Sequence, residues 1–141
     1  TNVIGLSPQG DMLLLRGEHH RYFFLDLTGR EPKVTEIQMP ASVSHADWHA
    51  REKKFVMGGD LQMIMEYDYG AQTMLKHPLN YSDVNDIAYY DNYRKVATAH
   101  GDGIVRFTDL ATGQVELLTV HRDNISSIAV DPSERFGLSV D

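Results

Sequence analysis

VNDIAYYDNYRKVATAHGDGIVRFTDLATGQVELLTV, residues 84–120, reads as four short β-stretches separated by turns. VNDIAYY, KVATAH, IVRFTDL and QVELLTV are rich in β-branched and aromatic residues, which suit a pleated, half-buried surface. No segment supports a long helix instead. Asp102-Gly103 suits a tight hairpin turn between the second and third stretches.

The same pattern recurs on both sides with a period near 41. Val43, Val84 and Ile125 open matching segments spaced 41 apart, and Ile4 in IGLSPQG matches Ile128 in IAVDPSE three periods on. Leu13, Phe55, Val96 and Gly137 open LLLRG, FVMGG, VATAH and GLSVD at steps of 42, 41 and 41. Asp26, Asp68 and Asp109 close YFFLD, IMEYD and VRFTD at steps of 42 and 41, each followed by turn residues. Gly29, Gly70 and Gly113 fall in those turns, where positive φ is expected. The chain is therefore expected to be all-β, with units of about 1–41, 42–82 and 83–123 and an incomplete unit over 124–141. Four antiparallel strands in a unit of about 40 residues is the β-propeller blade, which buries both faces against its neighbours.

The third unit resembles the WD-repeat family: HGDGIVRFTDLATGQ, residues 100–114, is similar to that family's turn, third strand and acidic ending. His121 falls where the family places the histidine that precedes a first strand. The resemblance extends over the whole chain, with one consistent departure. Where the family has Trp before the Asp, this chain has Leu25, Tyr67 and Thr108, and its one tryptophan, Trp48, lies in a first strand. Of the family's buried polar network only candidates for parts remain, Thr98 and Asp102, so apolar packing is expected to hold the units together.

Propellers close with about four to eight blades, and 141 residues supply about three and a half. The expectation is of part of a longer ring, or of one completed by another chain. Two copies would not complement each other's incomplete unit, because each would bring the same first and second strands.

Thirteen basic against twenty acidic residues leave a net charge of −7, which disfavours general nucleic-acid binding. Without cysteine there is no disulfide framework, thiolate metal site or cysteine nucleophile, which fits a cytoplasmic or nuclear setting. No apolar run approaches the roughly 20 residues that span a bilayer, so no membrane segment is expected. Nucleophile-elbow, P-loop and dinucleotide patterns are all missing, and Gly58-Gly59 alone cradles nothing specific.

His45, Asp47 and His49 alternate along an expected first strand and could offer three metal ligands on one face. Against that, Asp86 and Ser127 replace His45 in the later units, so a strand end carrying polar residues without metal is the preferred reading. His19 and His20 fall in a turn, and Glu18, Asp60 and Asp102 recur near the same turn in successive units, as capping residues do. Asp26, Asp68 and Asp109 sit in different units and cannot converge on one substrate. LQMIMEYDY, residues 61–69, could form an adaptable methionine-rich surface, but strand alternation places Met63, Met65 and Tyr67 between units.

The resemblance implies a non-catalytic scaffold for protein–protein interaction within a larger multiprotein assembly, needing no cofactor and no metal. On the face that such proteins commonly use, the matching positions are His20, Arg21, Tyr81, Asp83, Arg122 and Asp123. The rival expectation is an enzymatic propeller holding a metal or substrate at its channel mouth through His45, Asp47 and His49.

Overall fold

The computed structural model describes residues 2–39, 42–60, 62–79, 83–119, 121–130 and 137–140, the last stretch by its backbone alone. Among these residues every regular element is a β-strand. No helix is long and apolar enough to cross a membrane.

The first sheet contains β1 (Asn2–Leu6), β2 (Met12–Arg16), β3 (Arg21–Asp26) and β4 (Lys33–Gln38). The second contains β5 (Val43–Trp48), β6 (Lys54–Gly59), β7 (Met63–Asp68) and β8 (Thr73–Pro78). The third contains β9 (Val84–Tyr90), β10 (Lys95–His100), β11 (Ile104–Asp109) and β12 (Val115–Thr119), and β13 (Ser127–Val130) pairs with β14 (Gly137–Val140). Each four-stranded sheet is an antiparallel meander in chain order, its strands joined one to the next by short turns, and β13 pairs antiparallel with β14. Register slips fall at corresponding places in β5, between Val43 and His45, and opposite β9 at Ala99 and His100, and another falls in β1 between Val3 and Gly5. Such bulges bend the strand and increase its twist.

The first strands lie next to one another, β1 against β5, β5 against β9 and β9 against β13, so the sheets stack in sequence order. Alternation along each strand supplies both faces of a sheet with apolar residues. Between the first and second sheets, Met12, Leu14, Tyr22 and Phe24 meet Trp48, Phe55, Met65 and Tyr67 in one buried cluster. Its aromatic rings interlock, with Trp48 and Phe55 centred 4.5 Å apart and Phe24 and Tyr69 4.9 Å apart. Val56, Ile64, Val84, Ile87, Tyr89 and Val96 form the next interface. Ala97, Ala99, Val105 and Ile125 begin the one beyond, where Ile128 and Val130 pack. Met63, Met65 and Tyr67 thus lie against the first core, as alternation predicts.

The acids that close the third strands terminate them. Asp26 accepts from the Thr28 amide, Asp68 from Ala71, and Asp109 from both Ala111 and Thr112. These bonds hold the Asp26 and Asp109 carboxyls below the usual range, the Thr28 hydroxyl dominating at Asp26 and the Thr112 amide at Asp109. The glycine expectation holds for one turn of three. Gly113 has φ +77, whereas Gly29 and Gly70 lie outside the left-handed region, and Gln72 takes that conformation in the turn after β7. The left-handed residue there comes two positions later than the glycine, so sequence register alone misplaces it.

Candidate functional site

The turns joining second to third strands and the connections leading to the next first strand lie at one end of the stack. Backbone bonds tie them together: Met39 donates to His20, Asp60 to Ser42, Leu79 to Gln62, and His121 to Gly103. Ile125 then donates to His100 at 3.0 Å, fastening the last connection to the end of β10. Among the described residues, the turns at this end are thus tied by backbone bonds to one another and to the ends of the strands.

A groove of about 360 Å³ opens on this surface between the second sheet, the third sheet and the connection before β13. Ser44, His45, Asp60, Asp83, Asn85, Asn124 and Ser126 supply its polar lining. Asn85 Nδ2 donates to Asn124 Oδ1 at 2.6 Å and to the Ile125 carbonyl at 2.9 Å, which sets its side chain across the gap between sheets. Ser44 Oγ lies 2.8 Å from His45 Nδ1. Ser44 and Asn85 occupy the second position of β5 and β9, and Ser126, another 41 residues on, immediately precedes β13. Their place in the groove follows from the period that specified the sheets, and that was the signal by which the sequence could have disclosed them.

Behind the surface lies a polar layer inside the third sheet. His100 is fully buried, its Nε2 lying 2.8 Å from Thr98 Oγ1. Arg106, only 3% exposed, donates to both carboxylate oxygens of Asp102 at 3.0 and 2.7 Å. That guanidinium holds the Asp102 carboxyl below its ordinary range. Thr98 and Asp102 were legible as network candidates; His100 and Arg106, which complete the two pairs, were not. Asp102 also accepts from the Ile104 amide and so caps its turn as expected.

The expected contact residues are distributed unevenly. Asp83 is exposed and lines the groove. His20 lines a separate depression of about 550 Å³ with Asn2, Arg16, Gly17, Glu18 and His19, its turn set by left-handed φ of 55° at His19 and 60° at His20. Arg21 is engaged by Glu36 in a two-point ion pair at 2.7 and 3.1 Å. Arg122 and Asp123 are exposed on the connection after β12. Tyr81 lies outside the described residues.

His45, Asp47 and His49 each have a separate engagement. His45 and Asp47 stand opposite Gly58 and Val56 and so share a side of the sheet, but Asp47 Oδ2 accepts from the Tyr89 amide of the neighbouring sheet at 2.7 Å. His49 lies beyond the end of β5, where its Nδ1 accepts from the Arg51 and Glu52 amides and its ring stacks 3.9 Å from Tyr93. Burial lowers the His49 pKa and raises that of Asp47. Among the described residues, no group of three His, Cys, Asp or Glu side chains is placed to hold a metal ion.

No protein-family model matches the chain, and no curated protein matches it.

Proposed function

We propose that this protein is an interaction platform of the β-propeller type, its stacked sheets acting as blades and its turn-built end surface receiving another protein. The observation that carries the reading is the placement of Ser44, Asn85 and Ser126, each 41 residues from the next in the repeat, along a polar groove between successive sheets. A rigid repeat that presents one small polar side chain per unit at a common end is suited to reading hydrogen-bonding groups of a docked segment. Asp60 and Asp83 at the rim favour a partner that brings hydrogen-bond donors or positive charge. The net charge of −7 points the same way and away from nucleic acid. The resemblance of residues 100–114 to WD repeats supports the same class of function, a subunit of a multiprotein assembly inside the cell.

Alanine substitution at His20, Arg21, Tyr81, Asp83, Arg122 and Asp123, together with Asn85→Ala in the groove, tests the assignment. The expected result is loss of partner co-purification at Asp83 with melting behaviour unchanged, and at Asn85 with only the small drop in melting temperature that follows from its lost bonds to Asn124 and Ile125. Capture that survives all seven changes removes the end surface from consideration. Stoichiometric metal in the purified protein, lost on changing His45 or His49, would instead favour the enzymatic reading.

A further inference from the structure

A pocket of about 90 Å³ opens between the first and second sheets, at the end of the stack opposite the groove. Met12, Phe24 and Tyr67 form its floor, all three buried in the core that these sheets share. Tyr69 closes one side, its ring centred 4.9 Å from Phe24 and 5.9 Å from Trp48. Asp26, Lys33, Thr35, Lys53 and Gln72 make the rim.

Packing and turn chemistry hold these walls in place. Lys33 stands directly across from Asp26, and Thr35 from Phe24. The Tyr69 amide donates to the Lys53 carbonyl at 2.9 Å, which ties the turn after β7 to the turn before β6. The Lys53 stem lies against Gly70, where an added Cβ would come within 3.4 Å of Lys53 Cδ. That close approach accounts for a glycine at a position without left-handed φ. The floor is peculiar to this junction: at the next one the corresponding positions hold Lys54, Glu66, Thr108 and Leu110. There the chain supplies a carboxylate of its own, Glu66, which accepts from the Tyr89 hydroxyl at 3.0 Å.

The lining is rich in donors, with two ammonium groups on Lys33 and Lys53, an amide on Gln72, and hydroxyls on Thr35, Tyr67 and Tyr69. Among the described residues none of these groups makes a side-chain hydrogen bond or an ion pair. Asp26 is the one carboxylate of the lining, and its Oδ1 already accepts from the Thr28 amide and hydroxyl. Two ammonium groups beside one engaged carboxylate leave the mouth positive. Burial, then Asp11, Asp26 and Asp68, raise the Tyr69 pKa, so its hydroxyl stays a donor at neutral pH. Asp11 is held by the Ser7 hydroxyl and Asp68 by the Ala71 amide. The volume equals roughly three waters, which admits a carboxylate on a stem of one or two carbons.

We infer that this pocket binds a carboxylate on a short apolar stem, its oxygens meeting Lys33, Lys53 and Tyr69 and its stem lying on Met12 and Phe24. Charge-assisted bonds from ammonium and hydroxyl groups orient the acid, and the apolar floor favours a stem over a bare ion. A glutamate side chain of a docking protein and a free small monocarboxylate share this chemistry. The site has no residue in common with the groove, so neither reading depends on the other.

Titration of the 141-residue chain with propionate tests the site through the fluorescence of Trp48, the one tryptophan, and the ring signals of Tyr69. A saturable change is expected, weakened about fivefold by Lys53→Gln and by Lys33→Gln, and retained in Lys53→Arg. Both lysines are exposed, so the melting temperature should not move. A capped glycine peptide with one central glutamate separates the sources: tighter binding than propionate assigns the pocket to a protein partner, and weaker binding assigns it to a free acid. No saturable response to either probe overturns the inference, as does affinity unchanged in both glutamine variants. Inorganic phosphate binding as tightly as propionate would reduce the site to unspecific charge attraction, and propylamine binding more tightly would make it a cation site; either result overturns it.

Discussion

Gly103 carries two constraints on one atom. Its φ is +77, and a Cβ there would collide with the carbonyl oxygens of His121 and Asp123, which belong to the connection leading into the fourth unit. Gly103→Ala should cost about 2 kcal/mol or more, read as a lowered denaturation midpoint. Gly113→Ala shares the positive φ but meets nothing within 4 Å, so it should cost only about 1 kcal/mol. Asp47 gives a pH signature. Burial raises its pKa, so its ionised form is less favourable in the fold than in the unfolded chain. That penalty is absent below the unfolded pKa of about 4, grows as pH rises through the folded value, and is constant above it. Asp47→Asn keeps an oxygen to accept from the Tyr89 amide. It should therefore raise the melting temperature at neutral pH, with the advantage vanishing near pH 3; an advantage independent of pH would reject ionisation as the cause.

Elements were the most legible level. Strand starts at Val43 and Val84 and strand ends at Asp26, Asp68 and Asp109 follow the 41-residue period, because alternation and turn chemistry act locally. Legibility falls off where one sheet addresses another. The Asp47 bond to Tyr89 and the Asn85 bond to Asn124 join units whose relative height is set by packing and by the bulges in the first strands. The pair of Arg106 and Asp102 was missed because a charged residue in mid-strand suggests a solvent-facing position, whereas Arg106 is buried opposite Thr98. Asp102→Ala should cost about 1–2 kcal/mol by taking from the buried guanidinium its two-point acceptor, less than a fully buried pair would because the carboxylate is 41% exposed and solvent screens it. Arg106→Met in the same background should recover most of that loss, measured as a double-mutant cycle. Truncating Phe55, fully buried among Phe24, Trp48 and Tyr67, should cost about 3–5 kcal/mol.

At the scale of the molecule, stability is set by how many faces of each sheet are covered. The second sheet is covered on both faces, by the first core and by the cluster that contains Val56 and Ile64, and the third sheet lies between that cluster and the one around Ile125. The first sheet has one covered face, and the outermost strands β4, β8 and β12 expose Val34, Leu75, Leu117 and Leu118. In a stacked array each unit draws its stability from its neighbours, so local opening should be ordered by coverage. Amide exchange should be slowest in β6, β7 and β10, faster in β2 and β3, and fastest in β4 and β12. Phe55→Ala should accelerate exchange in the first sheet more than in the third, since Phe55 belongs to the core that the first sheet shares. Uniform acceleration across all sheets would mean instead that the array opens only as a single cooperative unit.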